Sequence, residues 1–192
     1  MNQASRDVIR PIRADEWPKA KELRLLALKD PVAPIAFLQT YEQAAAEPDS
    51  FWREQARESA RGTRVRQFVA EGLEEIWSGT VAVLIEDAGS DDAFGGAVLQ
   101  RQAHIVGVFV RPEYRGSGVI DELFEAAVGW AWSVEEVARV RLYVHEDNAR
   151  AESFYRRYGF MRSGETVPMK GDPSKEEREM VLDNPQLVSD IS

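Results

Sequence analysis

The most informative part of this sequence is residues 108–118, which read VFVRPEYRGSG. An apolar run ends at Val110, a short polar loop follows, and Gly116 and Gly118 open the helix-forming segment 118–133. The first N–H groups of a helix have no partner within it and favour an anion, and glycine allows a phosphate to approach the backbone closely. The stretch therefore predicts an anion-binding turn, with an ordinary structural turn as the alternative.

Two common nucleotide-binding motifs fit this turn poorly. A P-loop requires a Gly-Lys-Ser/Thr run, which the sequence lacks. A dinucleotide-binding fingerprint requires a third glycine where Asp121 stands. It also belongs near the start of a domain, whereas about a hundred residues precede this turn. Neither an NTPase nor a dinucleotide-dependent oxidoreductase is indicated.

Hydrophobic periodicity places a βαβ unit around the turn. Strand 104–110, helix 118–133 and strand 139–145 should form a right-handed parallel crossover. Residues 97–110 read as one or two strands, after a polar, Gly-rich loop at 88–96. The other predicted strands are 8–12, 65–71, 77–86, 160–167 and 179–182, and the other predicted helices lie between 15 and 30 and at 36–47, 51–60 and 148–158. This order predicts an α+β (α/β mixed) fold in a single domain, 1–192.

Composition excludes several classes of function. The 192 residues include 24 Lys plus Arg and 33 Asp plus Glu, a formal charge of -9, which argues against general nucleic-acid binding. The absence of cysteine excludes disulfides, thiolate metal sites and cysteine nucleophiles, and with two histidines and no EF-hand spacing we expect no metal. No signal-peptide stretch or membrane-length apolar run occurs, so we expect a cytoplasmic protein without membrane contact.

The acidic excess lies mostly outside residues 101–160. All basic residues of that segment are arginines, and they nearly balance its acids. Because a guanidinium group binds phosphate oxygens in bidentate geometry, an anionic ligand could bind there despite the overall charge. Arginines that merely face solvent are the alternative.

A second informative block follows at residues 142–160, which read LYVHEDNARAESFYRRYGF. Together with 108–118 it resembles the GNAT superfamily of N-acetyltransferases, whose cofactor motif is Gln/Arg-x-x-Gly-x-Gly/Ala at a helix start. Arg115 and Gly118 match that motif, and Ile120 stands where the family has Gly or Ala. The strict match covers about 104–160. The resemblance implies the GNAT fold, a central mixed, mostly antiparallel sheet of about seven strands with a splayed parallel pair, flanked by helices.

The resemblance also implies acetyl-CoA as cosubstrate, bound between the two splayed strands. The pyrophosphate would be held by backbone N–H groups of Arg115, Gly116, Ser117, Gly118 and Val119. The pantetheine arm would pair with the backbone of Val108, Phe109 and Val110, and an N–H near Val108 would stabilise the oxyanion of the thioester carbonyl. Asn148 would hydrogen-bond the cofactor arm.

Tyr155 occupies the family's usual position for the general acid, with a core or CoA-stacking aromatic as the alternative. An alkyl amine is mostly protonated at pH 7, so a base or a water chain must take its proton. His104 is a candidate because the histone-acetylating branch has a glutamate there, with a buried structural histidine as the alternative. Glu71 and Glu146 are rival bases. Without cysteine, acetyl must pass directly from CoA to the acceptor.

The resemblance implies that the acceptor cleft is bordered by residues 28–46 and 164–177. Acids and a tyrosine in or near these segments would suit a small cationic amine, with ordinary surface acids as the alternative: Asp30, Tyr41, Glu42, Glu47, Glu165 and Asp172. Acetylation of protein N-termini or lysines, and a catalytically silent acyl-CoA-binding sensor module, remain alternative functions. Homodimers are common in the family that the sequence resembles, and an exposed final strand would allow one, so we expect a homodimer.

Overall fold

The computed structural model describes residues 7–92 and 94–188. Its centre is a seven-stranded sheet in the order β1-β2-β3-β4-β5-β7-β6. The strands are β1 (Val8–Pro11), β2 (Val65–Glu71), β3 (Trp77–Glu86), β4 (Gln102–Val110), β5 (Arg139–His145), β6 (Met161–Met169) and β7 (Asp172–Asp183). Every neighbouring pair is antiparallel except β4 and β5. The predicted mixed, mostly antiparallel sheet with one parallel pair is confirmed.

Six α-helices flank the sheet in the described part of the chain. They are α1 (Trp17–Ala27), α2 (Tyr41–Ala46), α3 (Asp49–Arg61), α4 (Val119–Ser133), α5 (Ala149–Tyr158) and α6 (Pro185–Val188). Short 3₁₀ turns precede α1 and α4, among them Pro112–Tyr114. None of the helices among these residues is long and apolar enough to cross a membrane.

Two apolar layers sandwich the sheet. On one face α4 buries Leu123, Phe124 and Ala127 completely against strands β2 to β5. On the other face, α1 and α3 pack around a smaller cluster that includes Leu23 and Trp77. At roughly 1.5–3 kcal/mol for each large buried side chain, these two layers hold the sheet in place.

Three predicted elements differ in extent from the observed ones. The helix expected over 36–47 is shorter, because Thr40 caps it by accepting a hydrogen bond from the Gln43 N–H at 3.2 Å. β4 begins at Gln102, and residue 97 forms only an isolated bridge. The last two strands extend through 161–183 as one long hairpin. The added part of β7, residues 172–178, is polar, so it lacks the alternating pattern that marks a half-buried strand.

Candidate active site

The parallel strands β4 and β5 are joined only at one end. Their register pairs residues 102–104 with 139–141. Beyond these positions β4 pairs only with β3, while β5 stays paired with β7 to its end. We call the gap between 105–110 and 142–145 the wedge. In the described part of the chain no strand pairs with the edge of β4 that faces the wedge, so an extended ligand can take the place of a strand there.

A bulge lies in β4 halfway along the wedge. The β3–β4 register shifts by one residue between Val106 and Phe109, so Gly107 and Val108 face a single residue of β3. Gly107 has φ of +62°, in the left-handed region that glycine tolerates. Because the bulge reverses the alternation of side chains, Phe109 joins the cluster under α1 and α3, and Val110 joins the one under α4. The bulge therefore takes the backbone of Val108, which borders the wedge, out of regular pairing with β3.

The glycine turn, residues 115–119, leads from β4 into α4. Gly116 has φ of +82° and Gly118, the residue before the helix, has φ of +94°. Ser117 donates its N–H to a carbonyl within the preceding 3₁₀ turn at a long 3.3 Å. Among the described residues, the N–H groups of Gly116, Gly118 and Val119 have no acceptor. These free donors at the positive end of the α4 dipole are suited to a phosphate group.

Arg115 is tied back into the protein. Its Nη2 forms an ion pair with the carboxylate of Asp30, and its Nε donates to the carbonyl of Val110 at 3.1 Å. Burial raises the pKa of Asp30, but hydrogen bonds from the Val32 N–H and from Arg115 outweigh burial, and the pKa lies below its ordinary value. Arg115 therefore clamps the loop after α1 to the glycine turn, and the charge of Asp30 is already neutralised.

Ile120 faces the protein interior. It is partly buried and packs against the apolar cluster under α4. Its backbone N–H, like that of Val119, has no acceptor among the described residues. The family's Gly or Ala is therefore replaced here by a side chain that adds to the core while leaving the donors of the helix start intact.

Asn148 caps α5 next to the open end of the wedge. Its side-chain oxygen accepts a hydrogen bond from the Ala151 N–H at 3.3 Å, and its own N–H donates to the carbonyl of His145 at 2.9 Å. Its side-chain NH₂ group has no acceptor in the described part of the chain. That group is thus fixed in position and available to a ligand.

Tyr155 lies on α5, within the aromatic cluster under α4. Its ring centroid is 5.7 Å from those of Phe124 and Phe154 and 6.3 Å from that of Phe160. The hydroxyl makes no hydrogen bond to any described residue. Burial, and secondarily the charge of Glu177, raises the pKa of Tyr155 far above its ordinary value. The hydroxyl therefore stays protonated at neutral pH, the state that a proton donor needs.

His104 lies at the closed end of the wedge, opposite Arg141. Its Nδ1 is 3.0 Å from Oε1 of Glu86, and the same carboxylate accepts from Nη2 of Arg141 at 2.7–2.9 Å. Arg141 also contacts Asp92 at 3.0 Å and Glu179 at 3.2 Å, and its side chain is 4% exposed. Although burial raises the pKa of Glu86, the hydrogen bonds from His104 and Arg141 lower it to about 2.

Glu71 lies at the end of β2, two strands away from β4. Both of its oxygens accept from Arg10 at 2.8 Å, and these bonds lower the pKa of Glu71 to about 2. Glu146 follows β5 directly, and Lys175 and Arg178 lie 3.8 and 4.0 Å from its carboxylate. The structure thus places Asn148 just after the end of β5 and Tyr155 in the aromatic cluster under α4. His104 at the closed end of the wedge and Glu71 on β2 are both engaged by other groups.

The sequence reasoning missed Glu177 of β7. It pairs in register with His145, the last residue of β5, and burial raises its pKa. Its carboxylate has no hydrogen bond or ion pair among the described residues. The polar pattern of residues 172–178 carried no strand signal, so nothing in the sequence placed Glu177 beside β5.

The predicted acceptor-binding acids fall into two groups. Asp30 is buried and paired with Arg115. Glu47 is half-buried, and the other three acids are exposed: Glu42, Glu165 and Asp172. The ring of Tyr41 is covered by the Lys29 ammonium at 4.6 Å. Across residues 7–92 and 94–188, no three His, Asp or Glu side chains are grouped so as to hold a metal ion.

The sequence matches the model of one known protein family. The model of the acetyltransferase (GNAT) family matches residues 35–160. No protein with a curated description matches the chain.

Solved structures share the fold over nearly the whole chain. An acetyltransferase of the GNAT family from Streptococcus pneumoniae matches 92% of this chain and 99% of its own, with 14% identity and a TM-score of 0.74. A spermidine N-acetyltransferase from Vibrio cholerae, in complex with CoA and spermine, matches 94% and 97%, with 16% identity and a TM-score of 0.68. A dodecameric structure of spermidine N-acetyltransferase from Vibrio cholerae matches 96% and 98%, with 15% identity and a TM-score of 0.64.

Proposed function

The chain belongs to the acetyltransferase (GNAT) family, and from this premise we propose that it transfers an acetyl group from acetyl-CoA to the primary amine of a small cationic molecule. Acetyl-CoA is the cosubstrate of the family, and N-acetyl transfer is the reaction. The amine attacks the thioester directly, because a chain without cysteine forms no acyl-cysteine intermediate. The observation that carries the proposal is the wedge, which ends beside the free N–H groups of the glycine turn.

The cofactor contacts are assigned to backbone groups of the glycine turn and of β4. The pyrophosphate is held by the free N–H groups of Gly116, Gly118 and Val119, and by those of Arg115 and Ser117, whose bonds within the turn are long at 3.3 Å. The backbone of Val108, Phe109 and Val110 pairs with the pantetheine arm along the wedge. The N–H of Val108, displaced by the bulge, stabilises the oxyanion that forms on the thioester carbonyl. The free NH₂ group of Asn148 binds the same arm from the β5 side.

Tyr155 donates a proton to the departing CoA sulfur. Its support is its position on α5, two turns after the Asn148 cap, together with a hydroxyl that makes no hydrogen bond to any described residue. A positioned general acid of this kind typically contributes a factor of roughly 10²–10⁴ to the rate.

His104 and Glu71 serve better as structural groups than as bases. A base needs a free lone pair near the attacking amine. His104 faces Glu86 at the closed end of the wedge, and the carboxylate of Glu71 is occupied by Arg10. We assign His104 to closing the wedge and Glu71 to anchoring β1 on β2.

The proposed acceptor is a polyamine-like cation. The exposed acids on α2 and on the β6–β7 hairpin add negative charge to the segments expected to border the acceptor cleft, and the Asp30–Arg115 pair keeps one of these segments against the glycine turn. The Vibrio cholerae neighbours act on spermidine and bind spermine. Negative charge raises the local concentration of a cationic substrate.

The proposal is tested by measuring acetyl-CoA binding in a calorimeter and CoA thiol release with a panel of amines. Spermidine and spermine should release thiol, and an aminoglycoside, a lysine-containing peptide and a neutral alcohol serve as comparisons. Binding without release on any amine would indicate a silent acyl-CoA-binding module. Absence of acetyl-CoA binding would refute the proposal.

We also propose a homodimer. β6 forms one edge of the sheet and is exposed along most of its length, which leaves its outer backbone groups free for a second copy. The spermidine N-acetyltransferase from Vibrio cholerae, which shares the fold, has a dodecameric structure. Light scattering after gel filtration measures the mass directly, and a mass of 21.7 kDa would contradict the proposal.

A further inference from the structure

The end of β5 places two titratable side chains opposite each other. His145 is the last residue of β5, which borders the wedge, and Glu177 is its register partner on β7, the strand on the side of β5 away from β4. Directly opposed residues of an antiparallel pair have Cβ atoms roughly 4.5–5.5 Å apart and share a face. The same face carries the Arg141–Glu179 ion pair, since Arg141 lies four residues before His145 on β5 and Glu179 lies two residues after Glu177 on β7.

Glu177 faces away from α5. Its neighbour Arg178 faces α5, since its Nη1 is 3.6 Å from Oε2 of Glu152 on that helix. Successive side chains of a strand alternate between faces. Glu177 therefore lies on the face of the sheet opposite α5 and Tyr155, close enough for its charge to act on the Tyr155 hydroxyl.

Glu177 also differs from the other carboxylates around the wedge. Those of Glu71, Glu86, Glu146 and Glu152 are held by arginine or lysine groups. Glu177 has no hydrogen bond or ion pair among the described residues, and burial raises its pKa above the ordinary value of 4.5. An unpaired carboxylate with a raised pKa accepts a proton more readily than a paired one.

His145 has no free lone pair, because its one acceptor nitrogen is already occupied. Its side chain is 2% exposed, and its Nδ1 accepts the N–H of Asp147 at 3.1 Å. In the neutral ring the proton then lies on Nε2. His145 is therefore a positioning residue beside Glu177 and offers no lone pair to an amine.

We propose that Glu177 is the general base that takes a proton from the acceptor ammonium group, on the face of the sheet opposite Tyr155. This rests on the proposed acetyl transfer. The ammonium loses one proton to the Glu177 carboxylate, and its lone pair forms the C–N bond to the thioester carbon. The C–S bond then breaks, and the sulfur takes a proton from Tyr155. The nitrogen loses a second proton to water as the amide forms. Glu177 then gives its proton to solvent and the Tyr155 phenolate takes one from solvent, so both side chains return to their starting states and one proton is released overall.

The pH dependence of this step depends on every charged or titratable group that faces Glu177. Val167 of β6, its other register partner, is apolar. The remaining groups come from four elements. Tyr143 and His145 lie on β5, and Tyr155 lies on α5. Lys175 and Glu179 share the face of Glu177 on β7, and Glu165 lies two residues from Val167 on β6. Lys175 is engaged by Asp147 at 2.8 Å, and Glu179 by Arg141. His145, whose charged form would lower the pKa of Glu177, is therefore the partner of greatest influence.

The test compares Glu177→Gln with Glu177→Asp and with the control Glu176→Gln, which changes an exposed carboxylate on the other face of the same strand. Acetyl-CoA affinity is measured in a calorimeter, and kcat/KM for spermidine is measured from pH 6 to 10. Glu177→Gln should lower kcat/KM at pH 7 by roughly 10²–10⁴, with acetyl-CoA affinity unchanged. The deficit should shrink toward pH 10, where the amine loses its proton to solvent. Glu177→Asp should retain part of the activity.

The outcomes separate this proposal from the proposed function. If the unchanged protein turns over and Glu177→Gln equals Glu176→Gln, Glu177 is not the base and acetyl transfer stands. A deficit that stays constant up to pH 10 would assign Glu177 to binding the cation, which also refutes the base. If the unchanged protein binds acetyl-CoA but acetylates no amine, the proposed function and the base fall together.

Discussion

His104 lies opposite Arg141 at the last position where β4 and β5 are paired. Beyond this pair the two strands separate. The Arg141 guanidinium lies among Glu86, Asp92 and Glu179, three carboxylates brought from β3, the following loop and β7. This buried network joins the strands at the closed end, so the wedge opens at a defined point rather than along its whole length.

Removal of the Arg141 guanidinium should destabilise the fold strongly. Arg141→Met leaves three buried carboxylates without their shared partner, and breaking a buried ion pair in this way typically costs roughly 3–5 kcal/mol. The free energy of unfolding from urea titration measures the loss. Arg57→Met is the control, since Arg57 forms an exposed pair with Glu54 on α3 and should change stability by only about 0–1 kcal/mol. Equal losses in the two variants would contradict the prediction.

Acidification should destabilise the protein through Glu86. Its pKa is about 2 in the folded protein, below the ordinary 4.5. A depressed pKa stabilises the fold above the ordinary value, and this stabilisation is lost as the pH falls from about 4.5 toward 2. The contribution is of the order of 2–3 kcal/mol. Glu86→Gln should flatten the dependence of unfolding free energy on pH in this range, whereas Glu113→Gln, at an exposed position, should leave the slope unchanged.

Gly118→Ala should weaken acetyl-CoA binding. At φ of +94° an alanine is strained by roughly 1–2 kcal/mol, although its Cβ would meet no atom within 4 Å. Relief of that strain moves the free N–H groups at the start of α4. Gly95→Ala is the matched control, with φ of +81° and the same open surroundings in a loop away from the turn. Both variants should lose similar stability, but calorimetry should show a several-fold loss of acetyl-CoA affinity only for Gly118→Ala. An unchanged affinity would exclude the glycine turn as the pyrophosphate site.

Tyr155→Phe should lower kcat by roughly 10²-fold or more while acetyl-CoA affinity stays within a few-fold of the unchanged protein. The ring remains in its cluster and only the proton donor is removed. Tyr158→Phe removes a hydroxyl from the same aromatic cluster and should keep full turnover. Steady-state thiol release measures both variants. If Tyr155→Phe turns over normally, Tyr155 is a packing residue and another group protonates the sulfur.

Local sequence patterns were sufficient for the βαβ unit. Apolar runs, helical periodicity and the two glycines predicted helix 118–133, and the structure has α4 at Val119–Ser133. Asn148 and Gly159 bound α5 within one residue of the prediction. These signals are local because caps, turns and apolar stripes depend on residues a few positions apart. Residues 172–178 of β7 were missed because their polar sequence lacks the pattern of a half-buried strand, and their side-chain partners, such as Asp147 for Lys175, lie far away along the chain.

The sequence by itself determined the element order, the glycine turn and the family resemblance, all of which rest on neighbours along the chain. Only the tertiary structure decided which charged groups are free. Arg10 reaches Glu71 across 61 positions, Arg141 reaches Glu86 across 55, and Arg115 reaches Asp30 across 85. A carboxylate can act as a base only if no such partner claims it, because an ion pair lowers its pKa and occupies its lone pairs. Folding thus engages Glu71 and leaves Glu177 unpaired beside the last residue of β5.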